Sequence, residues 1–141
     1  MTIVKNILAV VLGLVIGSAV NMAIVMFSPI IVPPPAGVDV SSAESIAASM
    51  ELYEAKHFIP PFLAHALGTL TGAIVSFLIA ASHSEGLAYV IGVAFLMGGI
   101  AASFMIPAPV WFIAVDILLA YIPMTWCGIY LARRINRKGQ I

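Results

Sequence analysis

The sequence predicts an all-α membrane protein with four transmembrane helices in an antiparallel bundle and one external amphipathic helix between the first and second. Two observations support this fold class, the composition and the spacing of long apolar segments. Of the 141 residues, 62% are hydrophobic and only 9% are charged, whereas a soluble domain is about 25% charged. Four apolar segments approach the roughly 20 residues that a helix needs to cross bilayer hydrocarbon.

The four predicted spans lie within one integral-membrane domain that covers residues 1–141. They are residues 7–27, 62–81, 87–104 and 110–132, with an external loop and helix at 28–61 and a basic tail at 133–141. Lys5 followed by an apolar run also suggests a signal peptide, but the run continues to Phe27, which is longer than a signal core. We therefore expect the first segment to be a retained helix. The short turns between the later spans make those helices antiparallel neighbours.

The distribution of lysine and arginine predicts the orientation, because cytoplasmic loops are enriched in both. The tail carries Arg133, Arg134, Arg137 and Lys138, and Lys5 lies near the N-terminus, whereas residues 28–61 carry only Lys56. We expect a bacterial inner-membrane protein with both termini cytoplasmic and residues 28–61 external. The formal net charge is zero, so nothing in the sequence favours nucleic acid as a partner. The expected partners are the lipid bilayer and either further copies of the chain or another membrane subunit, since four helices enclose little volume.

The first two predicted spans share a glycine pattern. Residues 8–20 and 63–75 align with Leu, Ala, Leu, Gly, Gly and Val in common, which places Gly13 and Gly17 opposite Gly68 and Gly72 in the alignment. Small residues at this spacing let membrane helices approach closely. The pattern is either an inverted repeat or, as we favour, a shared packing motif.

The external segment is predicted to contain an amphipathic helix. Ser41 at the N-cap with Glu44 three residues later has the pattern of a capping box, and the helix can continue to about His57. Its apolar stripe consists of Ile46, Met50, Tyr53 and His57. This helix would either rest among the lipid headgroups or cover the outer mouth of the bundle.

Polar residues of all four spans are predicted to converge near the external surface. Asp116 and Asn21 lie six residues from the external ends of their spans, His65 lies three residues into the second span, and Ser103 lies near the end of the third. A lone charge in hydrocarbon costs on the order of 3 kcal/mol, so Asp116 needs a partner. We expect His65 to pair with it and Asn21 to orient either group.

Thr69 lies on the same helical stripe as His65 and completes the predicted ligand- or proton-binding set of Asp116, His65, Asn21, Ser103 and Thr69. Tyr121 is predicted to be a core or interface residue. Pro123 removes the N–H that would bond the Leu119 carbonyl, which predicts a kink in the last span.

A metal site is a further hypothesis. Glu54 and His57 have the i, i+3 spacing of carboxylate-bridged metal sites, and together with His65 and Asp116 they would supply enough ligands for zinc or iron. This assembly requires the external helix to fold down over the second span. No other cofactor is predicted, and no strong catalytic motif is present.

Three functions remain open. The favoured one is a small inner-membrane protein whose buried polar pocket in the outer leaflet binds or passes a small solute, an ion or a proton. The alternatives are a structural or accessory subunit of a membrane complex, and a metal-dependent membrane-embedded enzyme that acts on a lipid or quinone. The absence of a strong catalytic motif makes an enzyme the less favoured class.

Overall fold

A computed structural model of the chain describes residues 1–138; it is 82% helical and contains no strand in that range. The helices are α1 (Thr2–Ile31), α2 (Ala43–Ala48), α3 (Ile59–Ile79), α4 (Ser84–Met105), α5 (Val110–Leu119) and α6 (Ile122–Lys138). Tighter 3₁₀ turns cover Met50–Leu52 and Ala55–Phe58. The predicted basic tail begins inside α6, and its residues 139–141 lie outside the described part of the chain.

Four helical stretches are long and apolar enough to cross a membrane. They are Thr2–Ile31, Ala55–Ile79, Ser84–Met105 and Val110–Asn136. Large apolar side chains are exposed along all four, among them Val15, Leu78, Met97 and Leu118. Exposed apolar surface on this scale is characteristic of a protein that contacts lipid, so the chain has the features of a multi-pass membrane protein.

Helix α1 is longer than the predicted span at both ends and includes Pro29. A proline inside a helix leaves the carbonyl four residues earlier without its usual donor. Here the hydroxyl of Ser28 donates to the Val25 carbonyl at 2.8 Å. This side-chain bond lets the helix continue to Ile31 through a position at which the sequence suggested an end.

Helices α1 and α3 pack through their glycines in an antiparallel register. A Cβ built on Gly17 would lie 2.7 Å from the carbonyl oxygen of Gly68, and one built on Gly13 would lie 2.8 Å from that of Gly72. The reciprocal distances are 2.9 Å and 2.7 Å. The two backbones therefore touch where side chains are missing, which supports the interpretation of the common pattern as a packing motif.

Side-chain contacts show which helix ends lie together. Asn6 of α1 accepts a hydrogen bond from the Ala81 amide at 3.0 Å and donates to the Ser82 hydroxyl at 2.9 Å. Arg133 of α6 pairs with Glu85 of α4. The start of α1, the end of α3, the start of α4 and the end of α6 thus share one end of the molecule.

An aromatic cluster lies at the opposite end. The ring of Phe58, which is buried just before α3, contacts Trp111 at a centroid distance of 5.5 Å and Phe112 at 4.9 Å. The starts of α3 and α5 are therefore neighbours. Between the two ends, the buried apolar residues form two clusters, one of Ala73, Phe77, Ala88, Ile129 and Ala132 and one of Ala66, Ala120 and Tyr121.

The predicted extent of the helix between the first two spans, from Ser41 to about His57, is wrong. Only Ala43–Ala48 is α-helical, and its N-cap is Ser42, whose hydroxyl accepts from the Ser45 amide at 3.1 Å. The Asp39 carboxylate accepts from the Ser41 amide at 2.8 Å and holds Ser41 outside the helix. Local hydrogen bonds of this type compete with helix formation, and they replace the predicted capping box.

The last span is interrupted at Ala120–Tyr121, between α5 and α6. The interruption lies just before Pro123, as the missing N–H of that residue predicts. The helix resumes at Ile122, and the Thr125 amide donates to the Tyr121 carbonyl at 2.8 Å. The span is therefore two helices in sequence.

The glycine contacts predict opposite effects of alanine at two positions. Gly17→Ala places a methyl group against the Gly68 carbonyl and should lower the free energy of unfolding by about 1–3 kcal/mol. Gly98→Ala, where no atom lies within 4 Å of an added Cβ, should be neutral or stabilising by up to about 1 kcal/mol through helix propensity. Unfolding in detergent micelles measures both. Equal stability of the two variants would contradict the close packing of α1 on α3.

Candidate functional site

The central feature of the site is a buried carboxylate with two hydrogen-bond partners. Nδ1 of His65 lies 2.9 Å from both Oδ1 and Oδ2 of Asp116, and the Tyr121 hydroxyl donates to Oδ2 at 2.9 Å. Asp116 is only 5% exposed. These three residues, the His–Asp–Tyr cluster, join α3 to the last span, and the predicted pairing of His65 with Asp116 is present.

Two helix starts bring His65 and Asp116 to the same level. Helix α3 begins at Ile59 and α5 begins at Val110, so each polar residue lies six positions, roughly 9 Å, into its helix. From the sequence, His65 was expected only three residues into a span that begins at residue 62, whereas the helix begins three residues earlier. Pro60 and Pro61 occupy its first turn, where their missing N–H groups cost no helical bond.

Tyr121 is the member of the cluster that the sequence analysis did not identify. In a straight helix, residues five positions apart point about 140° away from each other, so Asp116 and Tyr121 would not meet. The interruption at Ala120–Tyr121 changes this spacing. Gly99 of α4 makes room for the phenol, since a Cβ there would overlap the Tyr121 hydroxyl. The signal in the sequence that could have identified Tyr121 was Pro123 two residues later, combined with a glycine on the neighbouring span.

The cluster lies beside a groove of about 340 Å³ between α1 and α4. Its lining consists of Leu14, Ser18 and Asn21 from α1, Ala94, Phe95, Gly98, Gly99 and Ala102 from α4, and His65 and Tyr121. The His65 ring also stacks on Tyr121, with centroids 5.7 Å apart. Asn21 shares the groove with His65, but the hydrogen bonds of the cluster run among its own three members, so an orienting role of the Asn21 amide stays a prediction.

Two other predicted site residues are placed differently. The Ser103 hydroxyl donates to the carbonyl of Ile100 in its own helix at 2.7 Å. Thr69 is fully buried, and within residues 1–138 its hydroxyl has no hydrogen-bond partner. Both lie on the predicted helices, but neither belongs to the cluster.

The four residues of the metal hypothesis divide into two pairs. The Glu54 amide donates to Nδ1 of His57 at 2.9 Å, and the Glu54 carboxylate pairs with Lys56 at 3.1 Å. His65 and Asp116 contact each other. No group of three histidine, cysteine, aspartate or glutamate side chains is gathered in the part of the chain that the structure describes. A divalent metal stays a prediction from spacing.

The geometry gives the two nitrogens of His65 different surroundings. An ionised carboxylate can only accept hydrogen bonds, so in the contact with ionised Asp116 it is the Nδ1–H group of His65 that donates the hydrogen bond. The bond orients the ring and leaves Nε2 as the nitrogen open to other partners. The side chain is 23% exposed and lines the groove. Nε2 can therefore accept a proton or a hydrogen bond from a molecule in the groove, with Asp116 balancing the resulting positive charge.

Comparison of the chain with protein-family models, with curated proteins and with solved structures returns no match. The chemistry of the cluster and its groove is therefore the basis on which a function can be proposed.

The buried phenol predicts a stability difference between two tyrosine variants. Tyr121→Phe leaves the Asp116 carboxylate with one donor fewer in a buried site and should lower the free energy of unfolding by about 1–3 kcal/mol. Tyr89→Phe, at a side chain that is 36% exposed, should change it by less than about 0.5 kcal/mol. Unfolding of both variants in the same detergent makes the comparison, and an equal loss would count against the hydrogen bond to Asp116.

Proposed function

We propose that the chain is a small polytopic inner-membrane protein that binds or passes a small solute, an ion or a proton at the His–Asp–Tyr cluster. Its four spans form an antiparallel bundle in this proposal. The observation that carries it is the contact of Nδ1 of His65 with both oxygens of the buried Asp116 carboxylate, at 2.9 Å, while the same ring lines an open groove.

The cost of burying a charge supports a functional role for this contact. A carboxylate removed from water is unfavourable unless it is paired and hydrogen-bonded, and a purely structural link would not need an imidazole edge at a groove. His65 and Tyr121 are the titratable residues of the groove lining, and Asp116 lies directly behind His65. A proton accepted at Nε2 therefore meets one opposing charge, and the residues that the structure describes place no competing cation in the lining.

The charge distribution supports an orientation with the cluster near the outer surface. Arg133 pairs with Glu85 at the end where α1 starts, and cytoplasmic ends are rich in arginine and lysine. His65 and Asp116 lie towards the opposite end, six positions into the helices that begin there. In this orientation both termini are cytoplasmic and the groove lies in the outer half of the membrane.

An accessory role in a larger membrane assembly is a second candidate. It is favoured by the low burial of α1 and α4. In the 18-residue apolar stretch of each helix, only 17% is buried. Such faces are available to lipid, to a further copy of the chain or to another membrane subunit. In that case the cluster would serve to hold α3 against the last span, and flux would not depend on it.

Proton flux into proteoliposomes tests the proposed function. Protein is reconstituted with an entrapped pH-sensitive dye, and a potassium diffusion potential drives proton entry. We expect a rate above that of empty liposomes, and we expect Asp116→Asn to lower it about tenfold or more, because the neutral amide no longer balances a proton on His65.

Asp39→Asn is the matched control. Asp39 lies in the exposed external segment and its carboxylate contacts the Ser41 amide, so this variant removes the same charge without touching the cluster. Its flux should equal that of the unmodified protein. Unchanged flux in Asp116→Asn, or no flux above empty liposomes, would overturn proton passage.

A further inference from the structure

The groove changes from polar to apolar along its length. Asn21 and His65 lie at the level of the cluster, near the end at which α3 begins. Leu14 lies seven residues earlier in α1, so it is roughly 10 Å further from that end. Phe95 lies at a similar depth to Leu14, because the Phe95 ring would be 3.0 Å from a Cβ built on Gly17. A molecule in the groove thus meets hydrogen-bonding groups towards the surface and apolar walls towards the membrane centre.

The groove is open at its side, between α1 and α4. Ala94 and Gly98 line it and are exposed, and nothing lies within 4 Å of a Cβ built on Gly98. The neighbouring Met97 is 63% exposed and marks the surface of α4 that would face lipid. If the spans cross a bilayer, the opening faces hydrocarbon, and molecules that dissolve there can enter directly.

The charge of the lining selects an uncharged head group. Apart from Tyr121, the titratable residue in the lining is His65, and the carboxylate of its partner Asp116 is not part of the lining. The His65–Asp116 pair therefore carries no net positive charge, whether or not Nε2 is protonated. A phosphate group would find no net positive charge to balance it, and an ammonium group would find no carboxylate in the lining, so burial of either charged head is unfavourable. A hydroxyl or carbonyl group can instead bond to His65, to the Asn21 amide and to the Ser18 hydroxyl.

From these three features we infer that the groove binds an uncharged single-chain amphiphile that enters from the surrounding membrane. Its hydroxyl or carbonyl head lies at Nε2 of His65, and its chain passes Phe95 and Leu14 in the direction taken by lipid tails of that leaflet. A volume of about 340 Å³ is at the lower end of ligand pockets and accommodates the head and the first part of one chain. The inference rests on the proposed role of the groove as a ligand site, and it does not need proton passage.

Photolabelling in nanodiscs tests this ligand class. The probe is a 1-monoacylglycerol with a diazirine in its acyl chain, and the labelled residues are mapped by mass spectrometry. We expect labels around Leu14 and Phe95. Unlabelled 1-monooleoylglycerol should displace the probe, whereas glycerol, which lacks a chain, and oleoyl lysophosphatidylglycerol, which carries a charged head, should not.

Two leucine variants of the same helix provide the steric control. Gly98→Leu adds a bulky side chain to the groove lining at a position where the added Cβ meets no atom within 4 Å. It should reduce groove labelling about tenfold, equivalent to about 1.4 kcal/mol of binding free energy. A Cβ added at Gly86 also meets nothing within 4 Å, but Gly86 lies at the other end of α4, so Gly86→Leu should leave labelling unchanged.

The outcomes separate this inference from the proposed function. Two results would overturn binding of a neutral amphiphile: labels that are spread evenly over α1 and α4 and unchanged in Gly98→Leu, or displacement of the probe by the charged lipid. The proposed function would still stand in that case if the flux of the unmodified protein depended on Asp116. Groove labelling that is lost in Gly98→Leu, without any Asp116-dependent flux, would support the amphiphile and overturn proton passage.

Discussion

The pairing of a buried carboxylate is the constraint on which the rest of this structure depends. Asp116 lies in an apolar helix, and only 5% of it is exposed, so an unpaired charge there would destabilise the protein by several kcal/mol. The contacts with His65 and Tyr121 offset part of that cost. They also require α3 to lie beside the last span, the last span to be interrupted before Pro123, and α4 to present Gly99 to the phenol. One electrostatic requirement thereby accounts for several features that are distant in sequence.

The glycine contacts between α1 and α3 determine where the groove lies. Backbone contact at Gly17 and Gly68 brings α1 tightly onto α3 and places Asn21 near the level of His65. On the other side of α1, small residues of α4 such as Gly98 leave space that no side chain fills. The groove therefore results from two different uses of glycine, close packing on one side of α1 and an unfilled position on the other.

The parts of the structure that follow from burial were predictable from the sequence, and those that follow from local hydrogen bonds were not. Four apolar stretches and the partner of Asp116 could be inferred because lipid tolerates few alternatives. The external helix could not, because the carboxylate of Asp39 and the ring of His57 compete for the backbone. Tyr121 was missed because the interruption of the helix changes its angular position. Ser103 had the expected depth, but its hydroxyl bonds to its own helix.

The most direct test of the central interaction is a distance measured in lipid. Solid-state NMR on protein in bilayers, with ¹⁵N-labelled histidine and ¹³C-labelled aspartate, reports the dipolar coupling between Nδ1 of His65 and Cγ of Asp116, and His65→Gln identifies the signal. A coupling typical of hydrogen-bonded groups, lost in that variant, is the predicted result. A spectrum without any histidine–aspartate coupling would show that the two side chains are apart, and both the site and the function proposed for it would be wrong.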